Sequence, residues 1–375
     1  MPLSWYACAH CGFWQRHFAP ADCPVCNDTR NDLPEDGWRF LPEQDVAATH
    51  DGSWRQVADD LWAFTTTPHL GLGGTGWLIV REGGNIAFEA APYYSPAMLE
   101  QIARLGGIRY LAASHAHGYG ALFQLQRDCN PEMLAIHKDD LGMTKAFRVT
   151  TPYDDVLEIA PGYTLHHVGG HYEGQAAFHD AVGRRLFCGD MFKIDQDAAG
   201  VSHAISSHKA FHKDIPLTHG EIRQYRDVIA PLAFDAVLTL FEYAPEVGRD
   251  VAVAVLDEAL ARAPGVKRIP YDPHHHRPAR AIGRSLPPLS RRVSRRRHRR
   301  VSDRRDRPCR HPGLGGRAVP GDRGPRRHHA VRRRLWRDRR GRDPGCAGRN
   351  RRDGLADADP VGARQDARQL CRPRP

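Results

Sequence analysis

Four residues of the types that bind metal ions each follow an apolar stretch of this sequence. His115 and His117 come after IRYLAA, His171 comes after TLHHVGG, and Asp190 comes after RLFCG. Because side chains at strand ends converge on one rim of a layered sheet, we expect these four residues to lie together. If His115 and His117 stand on an extended segment, both imidazoles point to the same face and offer two ligands to one ion. The alternative is that each is an ordinary core or surface histidine.

Two Cys-x-x-Cys pairs form the other group of metal-binding type. Cys8 and Cys11 are separated by eleven residues from Cys23 and Cys26. Each pair turns two thiolates toward one point, so the two pairs predict a tetrahedral site with four cysteine ligands. The stretch resembles a short zinc ribbon or a rubredoxin-like knuckle, which implies zinc, with iron as the alternative. We expect a structural staple here rather than a redox or recognition site.

The elements that must position these residues alternate between strands and helices. Short β-rich runs punctuated by glycine predict strands, and Ser95-Pro96 predicts the start of a helix. The predicted strands are 61–66, 76–81, 85–89, 108–113, 133–137, 164–168, 175–179, 185–188 and 236–241. The predicted helices are 95–105, one from about 121, 219–230 and 247–262. Strands and helices in this arrangement, with hairpins, favour a mixed architecture of layered sheets.

The order His-x-His, GGHxxG and a hairpin ending in Gly-Asp resembles the metallo-β-lactamase superfamily. The match spans roughly residues 55–265, and the stretch TGWLIVREGGNIAFEA resembles the opening strands of that family. The resemblance implies an α+β fold, the αββα sandwich of metal-dependent hydrolases. With the cysteine pairs, the chain resembles the subgroup that carries a rubredoxin-like knuckle.

The resemblance also assigns roles to residues. His115, His117 and His171 match the three histidines of the family's first metal site. Asp190 matches the carboxylate that bridges to, or lies beside, a second metal. The histidine centre, as we call these four residues, is therefore expected to hold zinc or iron.

The sequence departs from the family at the second metal site. The family motif is HxHxDH, but Tyr119 stands at the Asp position and Gly120 at the last His position. A late family histidine is also replaced, by the stretch LFEYAPE that contains Glu242. We expect a mononuclear centre unless Glu242, His203 or His208 supplies the missing ligands.

Three histidines, a carboxylate and water still make a competent hydrolytic site. Zn²⁺ on three neutral imidazoles lowers the pKa of bound water to about 7, giving hydroxide near neutral pH. Such a hydroxide attacks an ester, thioester, lactone or amide carbonyl. Asp190 is expected as a fourth ligand or as the group that orients the water, and Tyr119 as a donor to the developing oxyanion.

Two other classes of function compete with hydrolysis. Iron at both sites would suit a non-haem iron redox protein that acts on oxygen or sulfur species. A sandwich with a degenerate site would suit a non-catalytic metal-binding protein. The exact substrate and the oligomeric state do not follow from the sequence.

The last 99 residues differ sharply in composition from the rest. From Arg277 onward there are 32 Arg and 9 Asp but no Lys or Glu, a net charge of +23, whereas residues 1–276 carry a net charge of −13. A segment so poor in apolar residues predicts disorder. Three interpretations of this segment compete: an out-of-frame translation of GC-rich codons, an inert tail, or an arm that binds nucleic acid.

These observations predict three segments: a four-cysteine module at 1–40, a metallo-β-lactamase-like domain at 45–270 and a disordered Arg-rich tail at 277–375. The sequence contains no apolar run of about 20 residues, so no membrane span is predicted. Its first residues lack the pattern of a secretory signal. We therefore expect a cytoplasmic protein that acts on a small-molecule substrate. The acidic body argues against nucleic acid as a partner.

Overall fold

Strands dominate the computed structural model, which describes residues 3–265 and 268–271. In chain order the strands are β1 (Ser4–Cys8), β2 (Trp14–His17), β3 (Phe40–Pro42), β4 (Asp51–Ala58), β5 (Leu61–Thr67), β6 (Gly76–Ile79), β7 (Ile86–Phe88), β8 (Tyr110–Ala112), β9 (Met133–His137), β10 (Thr151–Tyr153), β11 (Val156–Ala160), β12 (Tyr163–His167), β13 (Ala176–Asp180), β14 (Arg185–Gly189), β15 (Lys193–Gln196), β16 (Ser202–Ser206), β17 (His208–Ala210), β18 (Ile215–Pro216), β19 (Ala236–Thr239), β20 (Tyr243–Ala244) and β21 (Ile269–Pro270).

The two large sheets lie face to face. The first has the order β10-β9-β8-β7-β6-β5-β4, antiparallel from β4 to β7 and parallel from β7 to β10. The second has the order β11-β12-β13-β14-β19-β20 and is parallel only between β14 and β19. Both β8 and β14 have a neighbouring strand on each side in their sheets. Their carboxyl ends therefore lie at one end of the sandwich and away from its edge strands.

Aromatic side chains fill the space between these sheets. Phe88 of the first sheet stacks on Phe178 of the second, with ring centroids 5.2 Å apart. Phe187 packs against Phe178 at 5.4 Å. Along β7, Phe88 faces this inner core while Ala87 faces the helices outside. The strand is therefore buried on both faces, as its uninterrupted apolar sequence predicts.

Helices cover the outer face of each sheet. They are α1 (Glu43–Thr49), α2 (Pro96–Arg104), α3 (Leu122–Cys129), α4 (His219–Ile229) and α5 (Arg249–Ala261), with 3-10 turns at Ala116–Tyr119 and Lys138–Met143. Helices α2 and α3 share the core outside the first sheet, and α4 and α5 share the core outside the second. Thr218 and Glu221 form a capping box that fixes the start of α4. These layers confirm the predicted αββα sandwich.

The four-cysteine module, residues 3–42, packs on the first sheet's side of this sandwich. Its strands form a small sheet in the order β2-β1-β3. Trp14 contacts Phe123 of α3 at 4.9 Å between ring centroids and donates a hydrogen bond to Pro92 O at 2.7 Å. Module and sandwich fall within one compact unit. The predicted limits 1–40 and 45–270 stay predictions, and the predicted tail at 277–375 lies outside the described residues.

The segment that follows Asp190 differs from the sequence prediction. No strand was predicted between residues 189 and 235, but β15 and β16 form a three-stranded sheet with β21, and β17 pairs with β18. Each of these strands has at most five residues, which leaves little periodic signal to read. Across the described part of the chain, no helix combines the length and apolar character needed to span a membrane.

Candidate metal centre

The first two histidines of the histidine centre come from the end of β8. The strand stops at Ala112, His115 is extended, and His117 lies in the 3-10 turn Ala116–Tyr119. The expectation that both stand on one extended segment was therefore wrong. Their rings converge, 5.2 Å apart, because the chain tightens into the turn immediately after His115.

The third histidine lies in the 169–174 loop between β12 and β13. Gly170 has φ +80°, and a Cβ there would lie 2.4 Å from the Tyr225 hydroxyl. That hydroxyl, on α4, accepts a hydrogen bond from His171 N–H and donates one to Gly169 O, both at 3.0 Å. The glycine pair thus lets Tyr225 of α4 approach the backbone of this loop and fix it next to His171.

The carboxylate of the centre follows β14. Gly189, with φ +52°, leaves room for Ser114, since a Cβ there would lie 2.2 Å from the Ser114 hydroxyl oxygen. This contact brings the ends of β8 and β14 together. Asp190 Oδ2 then lies 3.2 Å from His115 Nε2, 3.6 Å from His117 Nδ1 and 3.5 Å from His171 Nε2.

These four donor atoms fit a tetrahedral metal ion. Ligand atoms about 2.0 Å from a tetrahedral zinc lie roughly 3.3 Å from one another, close to the distances here. His115 Nε2 and both nitrogens of His171 are buried and have no hydrogen-bond partner among the described residues. Burial lowers the pKa of His115 and of His171, which keeps both imidazoles neutral and able to coordinate.

A buried chain of hydrogen bonds orients His115. Its Nδ1 lies 2.7 Å from the Ser114 hydroxyl, which in turn donates a short hydrogen bond to Glu89. If Ser114 donates to Glu89, His115 must carry its proton on Nδ1, and Nε2 is free to face the ion.

The four cysteine sulfurs also converge. Cys8 and Cys26 are 3.7 Å apart, and Cys11 and Cys23 are 3.6 Å apart, measured between Sγ atoms. These distances are far longer than a disulfide bond, and all four thiols are free. Sulfurs bound to one tetrahedral zinc at 2.3 Å would be about 3.8 Å apart. The module therefore contains a metal-binding cluster, and its donor set suits zinc or iron.

The histidine centre forms part of the wall of a cavity of about 320 Å³, which we call the main cavity. Its lining residues are Asn31, Leu72, His117, His171, Asp190, Phe192, Lys193, Phe211, His212, Phe241 and Glu242. A small cavity of about 110 Å³ adjoins it, lined by His10, Cys11, Cys26, Asn31, Asp32, Leu72, His117 and His212. Four of these residues line both spaces, so the two metal-binding clusters border adjoining cavities.

No family model matches the sequence. The uncharacterized protein YmaE of Bacillus subtilis (strain 168) is 26% identical over 266 residues, which cover 67% of this chain and 93% of YmaE.

Structural neighbours include metallo-β-lactamases. One from Hirschia baltica is 15% identical, has a TM-score of 0.41 and is covered over 97% of its length by 55% of this chain. A second neighbour is the rubredoxin oxygen:oxidoreductase from Desulfovibrio gigas, 14% identical with a TM-score of 0.37, covering 56% of this chain and 61% of that protein. The sheet order and the two clusters, rather than these distant likenesses, carry the assignment of a metallo-β-lactamase-like fold.

The structure separates the remaining candidate residues. Glu242 lies at the main cavity, whereas Tyr119 is 1% exposed, packs on Phe147 outside the cavity lining and has a buried hydroxyl without a partner among the described residues. The position of Tyr119 does not support the expected role in oxyanion binding. His203 is exposed and contacts Arg268, away from the cavity.

The segment after Asp190 brings a different histidine to the site. His208 is buried against Phe211, and its Nε2 contacts Ser206 at 2.9 Å, so it stands behind the cavity wall. His212 instead lines both cavities. Sequence reasoning did not single out His212 over its neighbours, since histidine at this spacing carries no signal of direction.

A third cluster of ligand types, His137, Asp139 and His167, does not suit an ion in this arrangement. The two imidazoles stack with centroids 3.9 Å apart and planes only 10° from parallel. Imidazole lone pairs lie in the ring plane, so two parallel stacked rings do not both aim at an ion about 2 Å away. Burial lowers the pKa of His137 to about 4, which keeps the stacked pair from sharing two positive charges.

Proposed function

We propose that this protein is a metal-dependent hydrolase that cleaves an ester, thioester, lactone or amide bond of a small molecule. The observation that carries the proposal is the convergence of His115, His117, His171 and Asp190 at the wall of a cavity. Three imidazoles and one carboxylate bind zinc well and leave the cavity side open to substrate. Four thiolates on a second ion also suit a reducing compartment, so we propose a cytoplasmic location.

The side chains around the centre favour a single ion there. A second ion would need further ligands, but Tyr119 lies in the core and Gly120 has no side chain. The additional carboxylate at the cavity is Glu242, which accepts a hydrogen bond from the Thr239 hydroxyl. Burial raises the pKa of Glu242, and the nearby Asp190 adds to this effect. Such a carboxylate is better suited to carry a proton than to bind a second cation.

The residues of the cavity divide the work of hydrolysis. The histidine centre would hold a divalent ion, which would supply Lewis acidity to the substrate carbonyl and an activated water. Asp190 directs one carboxylate oxygen at all three imidazoles and, as a ligand of the ion, would stay ionised and fix the centre's geometry. Glu242 accepts the proton of the attacking water and returns it to the leaving group.

The cavity wall indicates the kind of substrate. Leu72, Phe192, Phe211 and Phe241 give it a largely apolar lining, and Phe241 is 44% exposed. Lys193 adds a positive charge to the wall. A volume of about 320 Å³ is at the small end of ligand sites. We expect an acyl compound with a compact apolar body.

Metal analysis and a substrate panel test the proposal together. We expect full-length protein to bind two ions per chain, and His115→Ala and His171→Ala to bind one. The control His203→Ala removes an exposed histidine outside the cavity and should keep both ions. Among aryl esters, thioesters and lactones with short and medium apolar acyl groups, at least one should be hydrolysed by the wild type and by neither centre variant. Metal content unaffected by the centre variants, or no hydrolysis by protein with two ions, contradicts the proposal.

A redox function is the second candidate, and one observation favours it. Cys11 and Cys26 line the same small cavity as His117, so the two clusters are near neighbours. Iron at both would place an electron carrier beside a possible reaction centre. Thiolate–iron absorption in the protein as isolated, with two irons per chain, would favour this candidate, and a colourless protein with two zinc ions opposes it.

A further inference from the structure

Two residues that follow the second cysteine pair reach across to the histidine centre. Arg30 Nη1 donates a hydrogen bond to the carbonyl oxygen of His171 at 2.8 Å. The same guanidinium pairs with Glu173 at 3.0 Å and lies 4.1 Å above the ring of Tyr172. Arg30 thus contacts three successive residues of the 169–174 loop, and it is only 8% exposed.

The neighbouring asparagine holds the same loop from another side. Asn31 Nδ2 donates to Val25 O at 2.8 Å and to the Tyr172 hydroxyl at 3.1 Å. The ring of Tyr172 packs against all three histidines of the centre, with centroids 5.2 to 5.4 Å apart. Val25 lies between Cys23 and Cys26. The Asn31 side chain therefore connects the cysteine turn to Tyr172, the aromatic residue that packs against the centre.

The backbone connects this clamp to the cysteine ligands. Asn27 N donates to Cys23 O, Asp28 N donates to Val25 O, and Asn31 N donates to Asp28 O. The Asp28 carboxylate receives the Arg30 guanidinium at 2.6 Å and sets its direction. The turn that a metal ion fixes through Cys23 and Cys26 therefore continues without a break into the residues that hold the loop.

We propose that the four-cysteine module is a working part of the catalytic site: its bound metal fixes Arg30 and Asn31, and these positioning residues hold the His171 loop in its metal-binding geometry. Loss of the cysteine-bound metal, by chelation or thiol oxidation, then weakens metal binding at the histidine centre. The inference rests on the proposed function only in regarding that centre as catalytic.

Two arginines of similar burial separate positioning from stability. Arg30→Gln removes the clamp, whereas Arg185→Gln removes the ion pairs of a buried guanidinium with Asp60 and Asp180, none of which lines either cavity. We measure the affinity of full-length protein for Zn²⁺ at the histidine centre by competition with a chromophoric chelator. Both variants should lower the melting temperature, but only Arg30→Gln should weaken that affinity, by about 10- to 100-fold, as for other residues that orient metal ligands. Arg30→Lys should recover part of the loss. Equal affinities in Arg30→Gln and Arg185→Gln overturn the proposal.

Changes in the module itself give a second test. Cys26→Ser should lose the cysteine-bound ion and also weaken the second ion, and Asn31→Ala, which keeps all ligands, should weaken the second ion alone. If Cys26→Ser fails to fold, Asn31→Ala still decides. Unchanged affinity at the histidine centre in Asn31→Ala, or in a folded Cys26→Ser, contradicts the coupling. Because the readout is metal affinity, a protein that shows the coupling but hydrolyses nothing refutes the proposed function alone.

Discussion

At the scale of single residues, the histidine centre consists of buried polar side chains that have few hydrogen-bond partners within the described part of the chain. His171 has neither nitrogen hydrogen-bonded within the described part of the chain, and Asp190 directs one oxygen at three imidazoles. Such an arrangement of polar atoms is costly without a further partner. An ion at the centre supplies that partner, so the side chains are arranged for the metal rather than for each other.

Glu242 offers a test of proton transfer. Glu242→Gln keeps the side-chain volume but cannot accept a proton, so kcat should fall at least 10-fold while metal content stays at two ions. Because burial raises the pKa of Glu242, wild-type activity should rise as the pH increases through that pKa, and the variant should lack this rise. Glu246→Gln, which changes a carboxylate bonded to the backbone of Ser202, is the control. Full activity in Glu242→Gln, or loss of an ion, rules out the proton-carrying role.

Asp140 predicts a pH dependence of stability. It accepts a hydrogen bond from Gly174 N at 2.9 Å, its second oxygen is unpartnered among the described residues, and burial raises its pKa from 3.8 to about 6. A raised carboxyl pKa stabilises the fold below pH 3.8, and this contribution is lost as the pH rises to about 6. The ionised form then costs about 3 kcal/mol.

The variant Asp140→Asn does not titrate and keeps an oxygen for Gly174. Its melting temperature should exceed that of the wild type by a margin that grows between pH 4.5 and 6 and is constant above. The neighbouring, largely exposed Asp139→Asn should show no such growth. A margin independent of pH would show that Asp140 is ionised at no unusual cost.

Some residues of the site could be identified from the sequence and others could not. His115, His117, His171 and Asp190 were recognisable because each follows a strand within a few residues and the motifs occur in the order of the family that the sequence resembles. Nothing local distinguishes Arg30, whose partner carbonyl is 141 residues away. Tyr119 was expected at the site from its place in the motif, but its bulky ring is buried instead in the core beside Phe147.

At the scale of elements, helix α4 supports the centre through one hydroxyl. Tyr225→Phe removes the hydrogen bonds to Gly169 and His171, so the unfolding free energy should fall by about 1–3 kcal/mol and the affinity for Zn²⁺ at the centre should weaken. Tyr153 is buried too, but its hydroxyl has no partner in the described part of the chain, so Tyr153→Phe should change neither quantity. Denaturant titration and chelator competition measure both effects. Matching behaviour of the two variants contradicts the supporting role.

Four of the five helices and the central strands of the two large sheets were predictable, whereas the edge strands of those sheets and the short strands after Asp190 were not. Helices α4 and α5 and strand β9 fall within a few residues of their predicted limits. The strands between Lys193 and Pro216 have no comparable pattern, because tertiary pairing decides them. They carry Lys193 to the cavity, and the turn between β17 and β18 carries Phe211 and His212 there, so the substrate wall was the least readable part of the site.

At the scale of the whole molecule, all eight ligand residues of the two clusters lie within the described residues 3–265 and 268–271. A chain that ends at residue 276 should therefore keep two ions and the melting temperature of the full chain. A chain that begins at residue 41 should lose the cysteine-bound ion and bind the other ion more weakly, because Arg30 and Asn31 go with the cysteines. Metal analysis and thermal melting check both. A chain from residue 41 that still binds one ion with wild-type affinity contradicts the dependence.

The pair between Arg30 and Asp28 has a consequence for biosynthesis. The ribosome completes Arg30 well before His171, 141 residues later, an interval of about 7 to 28 s at roughly 5–20 residues per second. During that interval the guanidinium already has a local carboxylate partner two residues away, at 2.6 Å in the folded protein. The nascent chain can thus form its cysteine turn, with the Arg30 guanidinium paired to Asp28, before the 169–174 loop that Arg30 contacts has been synthesised.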